Sequence, residues 1–168
     1  MHSYCQLAKK SIKHYLATGK VLKVPRIMEK AYQKKAGVFV SLHKNSELRG
    51  CIGTYLPTKE NLALEIINNA IAAAFDDVRF EPLKKEETGN LEINVDVLSE
   101  MEKVKKLDEL DPKKYGIFIK SFGSSTLLLP DIEGVGSIDE QLLIARQKAG
   151  ISKNEPIEIY KFTVKRFK

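Results

Sequence analysis

The residues best equipped for chemistry crowd into one run, Glu47-Leu48-Arg49-Gly50-Cys51-Ile52-Gly53-Thr54, which holds one of the chain's two cysteines and two of its ten glycines. A thiol attacks only as the thiolate, and a guanidinium close by favours that form where little water intervenes. Read as a strand, the run alternates its side chains, so Arg49, Cys51 and Gly53 share one face while Leu48, Gly50 and Ile52 share the other. Arg49 and Cys51 then stand roughly 7 Å apart. Glycines weaken a strand interior and mark a bulge or a close approach to the backbone. The run therefore reads as the wall of a site. Cys51 is its candidate nucleophile or redox thiol, and Arg49 with the backbone at Gly50, Gly53 and Thr54 is suited to an anionic group. The opposing reading is a buried, inert Cys51, because free cysteine is among the most buried residue types.

A second cluster, Asp76-Asp77-Val78-Arg79-Phe80, follows an apolar helical run. Carboxylates at a helix C-terminus oppose its dipole by a few tenths to about 1 kcal/mol, and Arg79 offsets this by pairing with Asp76 or Asp77. An ion-paired helix exit and a ligand site both remain open. His43 falls on the face of Arg49 and Cys51 but four residue pairs from the thiol, so it acts on Cys51 only through substrate or water. The three histidines, His2, His14 and His43, make no metal-ligand cluster.

These residues need elements to hold them. Gly37 to His43 alternates and pairs with the Cys51 strand across a hairpin. A three-residue loop, Lys44-Asn45-Ser46, sets Leu42 opposite Leu48, Ser41 opposite Arg49 and Phe39 opposite Cys51, whereas a two-residue loop would set Leu42 opposite Arg49. Ser3 with Gln6 forms a capping box for a helix ending at Gly19, with Cys5 and Tyr15 in its core face. Val24-Pro25 ends that first unit, and Arg26 to Lys35 is a short helix or an irregular connection. Thr58 caps a helix over Leu62, Ala63, Ile66, Ile67, Ala70, Ile71, Ala74 and Phe75, whose apolar face is wide enough for a central, packed element. Leu91 to Val97 alternates as a strand with Glu92, Asn94 and Asp96 on its polar face, where Asp96 is placed to meet a basic site residue. Ser99 to Lys114 connects two lobes. Tyr115–Lys120 and Thr126–Leu129 flank a five-residue hairpin loop, Ser137 with Glu140 opens a helix closed by Gly150, and Ile157 to Val164 is the closing strand.

Together, Leu48-Arg49-Gly50-Cys51-Ile52-Gly53-Thr54, Asp77-Val78-Arg79-Phe80-Glu81-Pro82-Leu83 and Leu127-Leu128-Leu129-Pro130 resemble the signatures of the AMMECR domain family, whose prokaryotic members are also called AmmeMemoRadiSam system protein A. The resemblance runs from about Ala36 through Phe167. It implies an α+β fold with a larger lobe, a smaller lobe and a cleft between them, and association with Memo-like and radical S-adenosylmethionine (radical-SAM) proteins. It implies no settled molecular activity and no named cofactor.

The pattern of elements independently reads as α+β, a mixed or antiparallel sheet flanked by helices. We expect one AMMECR-type domain over 1–168, with about 1–98 plus C-terminal elements in the larger lobe and about 99–136 in the smaller. The 168 residues are 43% hydrophobic and 30% charged, those of an ordinary soluble protein. The absence of a long apolar run or a signal-peptide core predicts a cytoplasmic protein with no membrane partner. The net charge of +6 is uneven: residues 1–35 carry nine Lys/Arg against one acid. Lysines spaced along a helix ordinarily form its solvated face, so nucleic acid ranks behind a small or anionic ligand and protein partners.

Overall fold

The computed structural model describes residues 1–24 and 29–168; the expected break at Pro25 lies outside the described residues. In chain order the elements are α1 (Ser3–Thr18), α2 (Lys30–Gln33), β1 (Val38–Lys44), β2 (Glu47–Thr54), α3 (Leu62–Phe75), β3 (Leu91–Leu98), β4 (Glu102–Lys103), β5 (Gly116–Ser121), β6 (Ser124–Leu128), α4 (Ile138–Ala149), β7 (Glu158–Phe162) and β8 (Val164–Phe167). They form two units, Met1–Val97 with Lys165–Lys168, and Leu98–Val164. The fold is α+β, and the strand pairings described are antiparallel.

In the first unit the sheet order is β2-β1-β3-β8. Val38, Val40 and Leu42 of β1 and Ile93, Val95 and Val97 of β3 bury one sheet face against Ile66 and Ala70 of α3 and Cys5, Ala8 and Ile12 of α1. Burying each large aliphatic side chain contributes about 1.5–3 kcal/mol, which makes this layer the main stabilising element of the unit. The Cys5 thiol donates to the Phe167 carbonyl at 3.3 Å, and burial pushes its pKa up. That makes it the inert core cysteine its spacing suggests.

The hairpin differs from expectation in a way that decides the site. Asn45 and Ser46 both adopt positive φ, 54° and 66°, so the turn has two residues and Lys44 faces Glu47. A bulge then restores the hydrophobic register: His43 pairs with Leu48, Leu42 with Gly50, Ser41 with Cys51 and Phe39 with Gly53. Arg49 is the extra residue. Leu48 consequently shares a face with His43, not with Ile52.

Two helix starts are also corrected. His2, not Ser3, caps α1, its Nδ1 accepting from the Tyr4 N–H at 3.2 Å. Asn61, not Thr58, caps α3, its Oδ1 accepting from the Leu64 N–H at 3.0 Å.

In the second unit the order is β4-β7-β5-β6, with Ile117, Ile119, Leu128, Ala145 of α4 and Ile151 forming its core. The Ser137/Glu140 capping box and the left-handed Gly150 cap delimit α4 as the sequence predicts. The β5–β6 turn holds only Phe122 and Gly123, tighter than the expected five residues. This unit runs to Val164, past the 136 boundary read from the sequence, because β7 pairs with β5. The single closing strand expected over 157–164 is two strands in two sheets, β7 and β8, divided at Thr163.

Candidate functional site

β2 is an edge strand, and an edge exposes alternate backbone groups that must find partners elsewhere. At Cys51 they find the chain leaving α3. The Cys51 N–H donates to Asp77 Oδ2 at 2.9 Å, and its carbonyl accepts from Arg79 Nη2 at 3.3 Å. Arg79 in turn forks onto Asp77, with Nε to Oδ1 at 2.9 Å and Nη2 to Oδ2 at 2.7 Å, while its own N–H donates to Oδ1. Asp77 is 6% exposed, whereas the Arg79 side chain is 55% exposed and lies over the Phe80 ring, 5.4 Å from its centroid. The Arg79 guanidinium, aided by the Cys51 and Arg79 N–H groups, holds the Asp77 carboxyl well below the usual carboxylate range against the opposing effect of burial.

Two glycines let this happen. A Cβ at Gly50 would fall on the Ala73 carbonyl oxygen of α3, and one at Gly53 would fall on the Phe39 ring. Glycine at 50 thus lets α3 lie directly on β2, and glycine at 53 lets Phe39 cover the strand beside Cys51.

Burial pushes the Cys51 thiol up, outweighing the guanidiniums of Arg79 and Arg166; the carboxylates of Asp96 and Asp77 act in the same direction as burial. Arg166 of β8 forks onto Asp96 of β3, Nε to Oδ1 at 2.8 Å and Nη2 to Oδ2 at 2.7 Å, with Asp96 4% exposed. The thiol therefore sits among two guanidinium–carboxylate pairs that neutralise each other, a setting that keeps it protonated.

The predicted side chains separate into four places. Cys51, Asp77 and Arg79 come together. Arg49 does not join them: the bulge sends it to Glu87, Nε to Oε1 and Nη2 to Oε2, both at 3.0 Å, where Lys44 also binds Oε1 at 3.2 Å. The Arg49 guanidinium, with the Lys84 N–H and Lys44, holds Glu87 at about 2. Thr54 donates to Glu65 of α3, a carboxylate only 1% exposed that also accepts from the Thr58 hydroxyl and from the Thr58 and Lys59 N–H groups. His43 lies between Leu48 and Glu92 in the sheet. Sequence reasoning missed Glu65, Glu87 and Arg166. Glu65 was legible as the single charge inside the apolar run Leu62–Phe75, but nothing local marks the other two. Among the described residues no cluster of three or more His, Cys, Asp or Glu side chains could hold a metal.

Fold and site define a two-sheet α+β protein with a thiol strand clamped at a sheet edge by an Asp/Arg pair. The AMMECR1 family model matches residues 5–167, and the chain belongs to that family. A Thermotoga maritima protein is 50% identical over 170 residues, 99% of this chain and 98% of that one. Protein CA_C1420 of Clostridium acetobutylicum is 46% identical over 98% of this chain, which spans only 36% of that protein's length. The crystal structure of the uncharacterized protein PH0010 from Pyrococcus horikoshii superposes with a TM-score of 0.86 at 32% identity, covering 97% of this chain and 88% of that one. No described helix is long and apolar enough to cross a membrane.

Proposed function

We propose that this AMMECR1-family protein is a binding component of a multi-protein redox or biosynthetic system, acting with Memo-like and radical-SAM proteins through the Leu48–Thr54 strand. The observation that carries this reading is the Arg79 guanidinium: anchored on Asp77 and on the Cys51 carbonyl, it still presents more than half of its surface to solvent. Anchored, pre-oriented arginines are typical of binding hot spots. The longer C. acetobutylicum relative adds that a region of this kind occurs joined to further chain. Titrating purified Memo-like protein into this protein by calorimetry tests the reading. Arg79→Ala should weaken binding ten-fold or more with an unchanged far-UV spectrum, and Cys51→Ser should leave it intact. Absence of binding, or binding indifferent to Arg79, overturns it.

The competing reading, thiol catalysis by Cys51, requires a base or a depressed pKa. Burial raises the thiol's pKa instead. Iodoacetamide should therefore alkylate Cys51 at least ten-fold more slowly than a free thiol at pH 7, and Arg79→Ala should raise the apparent pKa further. A fast reaction with a pKa below that of a free thiol would restore the enzymatic reading.

A further inference from the structure

Helices α1 and α3 cover one face of the first sheet, and the opposite face carries a polar row that the fold itself does not use. Ser41 stands between the buried Val40 and Leu42 of β1, and Asn94 between the buried Ile93 and Val95 of β3, so both side chains leave the core face. In register, Cys51 pairs with Ser41 and Ser41 with Asn94. Paired residues project to the same face and neighbouring strands lie about 4.8 Å apart, so thiol, hydroxyl and carboxamide form a row roughly 10 Å long. All three residues are partly buried, and among the described residues neither the Ser41 hydroxyl nor the Asn94 carboxamide has a hydrogen-bond partner. A guanidinium is fixed beside each end: Arg79 on the Cys51 carbonyl, and Arg166 on Asp96, two residues from Asn94 on the same face. The thiol feels the charge of both. Each arginine side chain is more than half exposed. Their bonds use Nε and Nη2, which leaves the two N–H groups of each Nη1 without a partner among the described residues.

We propose that this row is the floor of a binding site for a small molecule carrying carboxylate or phosphate groups, held by the Ser41 hydroxyl, the Asn94 amide and the free N–H groups of Arg166 and Arg79. The groups on offer are chiefly donors, and ionised carboxylate and phosphate oxygens are the acceptors that match them. Burial keeps the Cys51 thiol protonated, so it brings no charge that would repel such a ligand. Asp77 and Asp96 already neutralise the two guanidiniums, so recognition rests on directed hydrogen bonds more than on net charge, and chloride is a poor substitute. The site goes beyond the reading of the chain as a binding component for other proteins, and Ser41 and Asn94 are residues which that reading does not use.

The test titrates the whole folded protein with succinate or with inorganic phosphate at constant ionic strength, following the Nε–H signals of Arg79 and Arg166 by NMR. Those two protons are bonded to carboxylates, which slows their exchange with water. At least one probe should shift the Arg166 signal saturably, with half-saturation at about 1 mM or below. The probe that binds tighter identifies the recognised group as carboxylate or phosphate. Asn94→Asp keeps the shape of the side chain and adds a negative charge, and it should weaken binding about ten-fold. Ser41→Ala should weaken it about three-fold, and this smaller change carries the test if the first variant fails to fold. No saturable shift with either probe, an equal shift with sodium chloride, or binding that the folded variants leave unchanged overturns the site.

Discussion

Two arginines fork onto carboxylates beside β2, and they do opposite things. Arg49 and Glu87 are 16% and 15% exposed and, with Lys44, pin the bulge to the 3-10 helix over Lys85–Asn90 that leads into β3. The Arg79 and Asp77 side chains are 55% and 4% exposed and fasten the Cys51 peptide while leaving a guanidinium in solvent. The chemistry of the pairs is the same; exposure separates a pair turned inward from one whose guanidinium meets solvent. The arginine two residues from Cys51 in sequence belongs to the inward pair, and the one 28 residues away is the thiol's neighbour.

The largest test of this contrast falls where α3 meets the strand between the two pairs. Gly50→Ala should destabilise by about 3 kcal/mol, because the added methyl meets backbone that can yield only by moving α3; a change below about 1 kcal/mol in urea unfolding would remove α3 as the element that fixes β2. Asp77→Ala should cost about 2 kcal/mol by stranding the Cys51 N–H and the arginine. If it costs nothing, the clamp is not holding the edge.

Next in size comes the acid response. Glu87 is held at about 2, below the 4.5 of a free glutamate, so its pairing stabilises the fold fully above that ordinary value and the stabilisation is lost as pH falls from 4.5 towards 2. Asp77, also depressed, adds to the same slope. Glu87→Gln should flatten the decline in stability between pH 5 and 3, and an unchanged slope would mean that Glu87 is equally depressed in the unfolded chain. Smallest is Val78→Lys, which should change stability by less than about 0.5 kcal/mol, since the side chain is almost wholly exposed. A large loss would show that Val78 is part of the fold.

What the sequence revealed was periodic and local. The apolar run of α3, the alternation of β3, the box that opens α4 and the glycines that close α1 and α4 are each written within a few residues. What it concealed were single-residue events and distant pairs. One bulged residue moved Arg49 away from Cys51, although the hydrophobic pattern had already objected to a two-residue turn without it. Thr58 looked like a helix cap because the buried Glu65 that claims it lies a turn inside the helix. The closing strand alternates straight through Thr163, so no local signal marks its passage between sheets. Asp96 was legible as an acid awaiting a base, but Arg166 lies 70 residues further on.

The division at Thr163 has a consequence for how the chain is made. Residues 98–164 form an uninterrupted unit inserted into the first one, and β8 follows it in sequence. A ribosome therefore delivers the whole inserted unit before the strand that completes the first sheet and brings Arg166 to Asp96. Until then the first sheet has three of its four strands, and Asp96 waits for its counter-ion. β7, which the inserted unit needs, is separated from β8 by Thr163 alone, so the two sheets receive their last strands almost together.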